Sequence, residues 1–332
     1  MPVTPTPKGI IEALRSCGDK GRAKQWLQFL SRIAEVVNLL FSTEREVMFN
    51  HRFIKGEYAK GVHNLTYERP SAPAARNPFC DAGVDNTTKL QALYFGQCVH
   101  SVILSTPLLV YLSSDCDIRV REYDIYVNPQ VITRSTNTGT LNNFPVHSIF
   151  FVAPSFLPVA AIGFDPSKDP GMILDPSARQ MGFKETISCA ANYFSNKFNS
   201  RREGHRSRPL GTHLNRIKAG LLNSPPSFCN NNSEFRQEIS LRVICNAVYE
   251  EIERWGGPRV VVSLEAAVWE HFFDTLRARL ERDLRQLRVR VDDLEFAGLR
   301  IEDMEDRAKD LMSQYYQGGY RNMMALASDL YS

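Results

Sequence analysis

The sequence has no apolar run near the roughly 20 residues that cross a bilayer. Its N-terminal MPVTPTP also lacks the cationic region and apolar stretch of a secretory leader. The seven cysteines are scattered and never form a C-x-x-C pair, a pattern typical of reduced thiols. We therefore expect a cytoplasmic protein without a membrane span.

Local catalytic motifs are missing as well. No G-x-G-x-x-G or G-x-x-x-x-G-K-[ST] loop is present to cradle a phosphate, and no G-x-S-x-G turn is present to expose a nucleophile. His147 directly precedes a predicted strand, and this position favours a surface histidine. The sequence therefore predicts no catalytic residue and no cofactor.

Metal ligands in close pairs are also scarce. Structural zinc sites usually place ligands two to four residues apart, and only Cys98 with His100 comes near that spacing. The D-x-D at 115–117 and the D-x₃-D at 165–169 supply too few oxygen ligands for a calcium or magnesium site. The remaining cysteines near the first pair are Cys80 and Cys116. We predict no metal site.

The composition is that of a folded protein. The chain has 332 residues, of which 43% are hydrophobic and 23% charged, with a net charge of +3. These proportions are close to the globular average, and the length suits two domains or one large domain with an insertion. The small net charge gives no reason to expect a polyanion bound over the whole surface.

The N-terminal region, residues 1–105, shows helical periodicity. Apolar residues at helical spacing predict helices over 10–14 and 26–41, separated at 18–21. Ser42 or Thr43 could cap a further helix reaching residue 54. Prolines and small residues over 61–84 predict an irregular connection, and the apolar run 90–104 predicts a buried helix.

The pattern changes in residues 106–165. Short β-branched and aromatic stretches, separated by turn residues, predict strands at 108–112, 118–120, 123–127, 131–133 and 148–152. No helix lies between them, which favours an antiparallel module over a βαβ unit. With helical parts before and after this module, the predicted fold class is α+β.

Residues 166–232 are predicted to be a connecting region with one helix at 184–198 and one basic segment. The basic segment, residues 197–218, carries seven cations against the single acid Glu203; the cations are Lys197, Arg201, Arg202, Arg206, Arg208, Arg216 and Lys218. Arginine forks suit phosphate oxygens, so we predict single-stranded RNA or another nucleic acid as partner. The alternatives are an acidic protein surface, such as the block at 292–310, and a solvated loop.

The C-terminal region, residues 233–332, is predicted to be helical apart from a short extended piece at 259–262. After a helix at 234–255, a long helix starting near Ser263 carries an unbroken apolar stripe, and residues 311–332 form an apolar, aromatic arm. Such a stripe usually covers the protein's own core, but with the arm it could also bind a second copy. The predicted oligomerisation residues are Leu276, Leu280, Leu284, Leu287, Tyr315, Tyr316, Met323, Met324 and Leu330.

The leading functional hypothesis combines the basic segment with the arm. It describes a non-enzymatic, self-assembling, RNA-binding homo-oligomer, such as a viral structural (capsid), nucleocapsid or replication-compartment protein. The first alternative is an enzyme whose dispersed active site lies between the β module and the helices. The second is a protein-only adaptor.

Overall fold

One long helix opens the described structure. The computed structural model describes residues 20–49, 52–60, 62–68, 86–116, 118–130, 132–136, 139, 146–155, 171–198, 206–216, 227–229, 232–316 and 318–329. Helix α1 (Lys20–Met48) runs without interruption through Ser42 and Thr43. The Ser42 hydroxyl donates back to the Leu39 carbonyl at 3.2 Å, so it satisfies its own helix instead of capping a new one. The predicted helix reaching residue 54 is wrong.

A small sheet follows α1. Strand β1 (Arg52–Ala59) pairs antiparallel with β2 (Val62–Glu68), and β4 (Ile132–Ser135) adds to β2 in parallel, giving the order β1-β2-β4. The predicted irregular connection over 61–84 is therefore wrong for residues 62–68. Residues 69–85, which hold the prolines that motivated that prediction, lie outside the described part of the chain.

Two helices replace the single helix predicted at 90–104. Helix α2 (Asn86–Tyr94) ends before Gly96, whose φ of +70° favours glycine and breaks the helix. Helix α3 (Cys98–Asp115) then begins at Cys98 and contains the predicted strand 108–112, with Pro107 inside it. Almost every side chain from 100 to 112 is buried. A run that is apolar on all sides carries no period to separate helix from strand, which explains this error.

The central sheet has five strands in the order β7-β6-β5-β3-β8. All neighbouring strands in it are antiparallel. Two of the strands, β3 (Ile118–Ile125) and β5 (His147–Pro154), lie in the predicted module. The other three strands are β6 (Met172–Leu174), β7 (Ile187–Cys189) and β8 (Arg206–Pro209). They lie in residues 166–232, so the prediction that this region only connects two modules is wrong. Only α4 (Ala190–Asn196) remains of the helix predicted at 184–198.

The sheet separates two cores. Alternate residues of a strand face opposite sides, so Phe150 and Val152 join the large core that α3 and the other helices form. Ile149 and Phe151 face a smaller core, which Tyr193 and Phe194 of α4 close. A 3₁₀ turn (Ala178–Met181) follows β6 and lies beside α2.

Five helices follow in the described part of residues 232–329. They are α5 (Asn232–Arg254), α6 (Pro258–Ser263), α7 (Ala266–Phe296), α8 (Ile301–Gln314) and α9 (Gly319–Asp329). Helix α6 replaces the extended piece predicted at 259–262. The stripe of α7 packs against α1 and α5, and α9 packs against α5 and α3. The stripe therefore lies in the chain's own core.

The predicted α+β class, with helices at both ends and a central antiparallel β module, is confirmed. Within the described ranges, no single helix is both long and apolar enough to cross a membrane. One pair, Thr88–Tyr94 with Cys98–Ser114, meets that test jointly but is bent by 73°. Most of its side chains are buried in the protein, as expected for core helices.

Candidate active site

Cys98 is the first residue of α3. Gln97 precedes it, and the Gln97 carbonyl accepts the N–H of Ser101 at 2.8 Å, which starts the helix. The Gln97 N–H donates to Gln180 Oε1 at 2.9 Å and fixes this turn against the 3₁₀ turn. The positive end of the helix dipole stabilises an anion at this position. Cys98 is 8% exposed.

A histidine and an aspartate meet beside this helix end. His147 is the first residue of β5, and Asp175 directly follows β6. Because β5 and β6 are antiparallel and Phe150 faces Leu174, the start of one strand lies next to the end of the other. His147 Nε2 is 2.9 Å from Asp175 Oδ2 and 3.0 Å from Oδ1. His147 is 0% exposed, so its interpretation as a surface histidine is wrong.

The electrostatics of this pair favour a charged imidazole. Burial alone would lower the pKa of His147, but the charge and hydrogen bonds of Asp175 outweigh it, and the Cys98 thiol adds to the effect. The pKa of His147 is raised to about 10. Asp175 occupies Nε2, so Nδ1 is the nitrogen left for the sulfur. Nδ1 has no hydrogen bond of normal geometry, a looseness common in catalytic pairs without substrate.

Tyr193 of α4 holds the aspartate from the other side. Its hydroxyl donates to Asp175 Oδ2 at 2.8 Å. Burial and the neighbouring carboxylate both raise the pKa of Tyr193, so the hydroxyl keeps its proton and remains a donor. The order is thus Cys98, His147, Asp175, Tyr193: a thiol, a base, the carboxylate that orients the base, and a donor that orients the carboxylate. A nucleophile, a base and an orienting group in this arrangement are the parts of nucleophilic catalysis.

A second polar cluster lies nearby on β3 and has a different geometry. Asp124 accepts hydrogen bonds from Ser148 Oγ at 2.8 Å and Arg208 Nε at 2.8 Å, and His213 Nε2 lies 2.9 Å away. Desolvation raises the pKa of Asp124, but these three partners lower it further than that. The serine hydroxyl bonds to the carboxylate and not to the histidine, so no base faces it. We assign this cluster to holding residues 206–216 against the sheet.

The basic segment is divided by the structure. Lys197 packs over the rings of Phe183 and Tyr193 at 4.7 and 4.9 Å and pairs with Glu185 at 3.3 Å, and Arg208 pairs with Asp124. Arg206 and Arg216 are exposed. The other members of the segment lie outside the described residues: Arg201, Arg202 and Lys218. Two of its cations are thus bound internally, to acids other than those of the 292–310 block.

The predicted oligomerisation residues also separate into groups. Six of them face the chain's own core: Leu276, Leu280, Leu284, Leu287, Met323 and Met324. Tyr316 is 53% exposed, and Tyr315 is half-buried. Leu330 lies outside the described residues. The buried side chains fit the alternative in which the stripe covers the protein's own core. Self-association stays a prediction.

The cysteines that could have bound zinc, Cys98 and Cys116, do not lie close together. Cys98 and Cys116 lie at and beyond the opposite ends of α3, about 27 Å apart at the 1.5 Å rise of a helix. Cys80 falls outside the described ranges. Where side chains are described, no group of three or more His, Cys, Asp or Glu residues is placed to hold a metal ion.

Sequence reasoning missed the site because its three residues come from separate elements. Cys98 lies inside the helix predicted at 90–104, where nothing marks it as a helix start, and Asp175 lies in the predicted connecting region. The available signal was the Gly96 turn directly before the cysteine, with a histidine and an aspartate at strand ends. No family model, curated protein or solved structure matches this chain, so any assignment of function rests on this geometry.

Proposed function

We propose that the protein is an enzyme that transfers an acyl group through a thioester on Cys98. The observation that carries this proposal is the position of the buried His147: its Nε2 is bound by the Asp175 carboxylate, and its ring is close enough to the Cys98 thiol for that thiol to help raise its pKa. This is the first alternative that the sequence allowed, an enzyme with a dispersed site between the β module and the helices. The substrate class is a carboxylic acid derivative, either an amide or an ester.

The steps follow from the charges of the three residues. The Cys98 thiol loses its proton to solvent, the neighbouring imidazolium of His147 stabilises the resulting thiolate, and this thiolate attacks the substrate carbonyl carbon. The N–H of Cys98, which as the first helical residue has no acceptor within the helix, can stabilise the oxyanion. His147 donates its proton to the leaving amine or alcohol as the tetrahedral intermediate collapses to a thioester.

A second nucleophile then releases the acyl group. His147 removes a proton from water or an amine, which attacks the thioester carbonyl, and the sulfur leaves as a thiolate. Asp175 holds the His147 ring in place through its hydrogen bonds to Nε2. Tyr193 does not contact the reacting atoms and acts through Asp175.

Selective alkylation tests this proposal without knowledge of the substrate. The protein is treated with a small amount of iodoacetamide at pH 6.5, and the modified cysteines are identified by peptide mass spectrometry. Cys98 should be modified before the other cysteines of the described residues although it is nearly buried, because it lies beside the imidazolium of His147. Cys229 is an internal control: it is exposed, and slight desolvation and the Glu305 carboxylate raise its pKa.

A His147→Ala variant should remove the preference for Cys98 while leaving the slow reaction of Cys229 unchanged. Modification of Cys229 before Cys98 in the wild-type protein would contradict the proposal. Equal labelling of Cys98 in the wild-type and His147→Ala proteins would contradict it as well.

Binding of nucleic acid by a self-assembling chain remains a second proposal. Two observations support it: Arg206 and Arg216 of the basic segment are exposed, and α8 exposes Ile301 at its start and is followed by the exposed Tyr316. Binding of single-stranded RNA would be weakened by salt, and self-association would raise the mass in light scattering. A protein that elutes as a monomer and does not retain RNA would contradict this proposal.

A further inference from the structure

A cavity of about 510 Å³ lies beside the first turn of α3. Residues of helices α1, α2, α5 and α7 and of strands β2 and β4 line it. Its volume falls within the range of ligand pockets, roughly 300–1,000 Å³. Its wall includes Glu44, Phe49, Tyr67, Gln97, Arg236 and Glu295.

The cavity adjoins the proposed active site. Gln97 is in its wall, and the next residue is Cys98. Glu44, also in the wall, lies 3.3 Å from Nε2 of His100 on the first turn of α3. A ligand in this cavity would therefore lie next to the turn that presents the thiol.

The charges of the cavity cancel in pairs. Arg45 lies 3.7 Å from Glu44, and Arg236 donates a hydrogen bond to Glu295. Both arginines are therefore held by carboxylates, and the wall carries no excess charge. The cavity therefore has no net positive charge to attract a polyanion such as RNA, because phosphate binding depends on unneutralised cations.

The rest of the wall offers both donors and acceptors beside aromatic surface. Ser135, Ser233 and Gln237 bring hydroxyl and amide groups, each able to donate and to accept. Phe49 and Tyr67 meet edge to face with their centroids 6.0 Å apart. A peptide has the matching chemistry, because its backbone carries equal numbers of N–H donors and C=O acceptors and its apolar side chains pack on aromatic rings.

We propose that this cavity binds a peptide segment beside Gln97, the residue that precedes Cys98. The proposal rests on the proposed function and narrows its substrate from any acyl compound to a polypeptide. It concerns recognition alone, so it can be tested with a protein in which Cys98 is replaced by serine and no acyl transfer occurs.

Binding is measured by fluorescence anisotropy with a fluorescein-labelled tryptic digest of serum albumin. The Cys98→Ser protein should bind the digest, and Ser233→Trp in that background should reduce the affinity about tenfold or more by filling the mouth of the cavity. Ser233 is exposed in the first turn of α5, so the larger side chain does not enter the core. Glu234→Trp is the matched control, since Glu234 is exposed one position along but does not line the cavity, and its affinity should be unchanged.

The outcomes separate this proposal from the one on which it rests. No binding of the digest, or equal binding with and without Ser233→Trp, would overturn the peptide site even if iodoacetamide modifies Cys98 first. Loss of binding in Ser233→Trp but not in Glu234→Trp would support the site even if Cys98 shows no preference. Stronger binding of a labelled RNA oligonucleotide than of the digest, abolished by Ser233→Trp, would also overturn it.

Discussion

His147 and Asp175 form an ion pair that is completely enclosed, with Nε2 of the histidine 2.9 Å from Oδ2 of the aspartate and at most 1% of either side chain exposed. A buried charge is costly unless it is paired and hydrogen-bonded. The pair meets this condition through two elements that neighbour each other only in the folded sheet. The pair also has a chemical consequence: the positive charge that Asp175 keeps on the imidazole would stabilise a thiolate at Cys98.

Replacing Asp175 by Asn should slow the alkylation of Cys98 by iodoacetamide at pH 7 by roughly a hundredfold or more. Without the carboxylate charge, the pKa of His147 falls, and the imidazolium that would stabilise a thiolate at Cys98 is less populated. The difference from the wild-type rate should shrink as the pH is raised, because the thiol then ionises without help. Equal rates at pH 7, with both proteins folded by circular dichroism, would rule out this role of Asp175.

Tyr193→Phe removes only the hydroxyl that donates to Asp175. The free energy of unfolding should fall by about 1–2 kcal/mol because a buried carboxylate loses a hydrogen bond. The pKa of His147 should rise, since the carboxylate charge is then less dispersed. Denaturant unfolding measures the first effect, and NMR titration of the imidazole measures the second.

Tyr94→Phe is a suitable control for that experiment. Tyr94 is also buried, and it packs edge to face on Phe41 at 5.0 Å, in the large core. Its substitution should leave the His147 titration unchanged. If both tyrosine variants shift that titration equally, Tyr193 has no specific effect on Asp175.

The long helix α7 could be predicted from sequence because its periodicity is local and repeats. Phe272, Leu276 and Leu280 recur every fourth residue, which places them on one side of a helix in any fold. All three are 0% exposed. The periodicity does not show which helices the stripe packs against. In the structure these are α1 and α5, and that packing depends on contacts between residues distant in sequence.

Helix α3 and the proposed active site could not be predicted from the sequence, for two different physical reasons. In α3 the apolar residues surround the helix, so no period distinguished the run at 108–112 from a strand. At the site, Cys98, His147 and Asp175 are each of a type that occurs throughout the chain, and only the pairing of β5 with β6 brings them together. A pattern within one segment cannot carry that information.

The stability of the protein should depend on pH through His147. Its folded pKa, about 10, lies above the value of about 6.5 in an unfolded chain. The stabilisation is therefore complete below about pH 6.5 and is lost as the pH rises toward 10. The free energy of unfolding should fall across this window by a few kcal/mol.

Urea unfolding between pH 6 and 10 measures this effect, with His147→Gln as the reference. The variant is expected to be less stable overall, but its stability should change less with pH over the same window. Parallel curves for the two proteins would show that His147 does not hold its extra proton in the folded state.

The basic segment yields a prediction that separates its structural cations from its exposed ones. Arg208→Ala should lower the free energy of unfolding by about 1–3 kcal/mol, because the mostly buried Asp124 loses a charged partner at 2.8 Å. Arg206→Ala and Arg216→Ala remove exposed side chains and should change it by less than about 0.5 kcal/mol. Thermal unfolding measures the three effects.

RNA affinity of the same three variants then decides the second proposal. If the segment binds RNA, Arg206→Ala and Arg216→Ala should weaken binding of a labelled single-stranded oligonucleotide, and each lost phosphate contact should reduce the salt slope by about 1. Arg208→Ala should have the smaller effect on affinity, since its guanidinium is already engaged by Asp124. Wild-type affinity in both exposed variants would leave this part of the segment without a role in nucleic-acid binding.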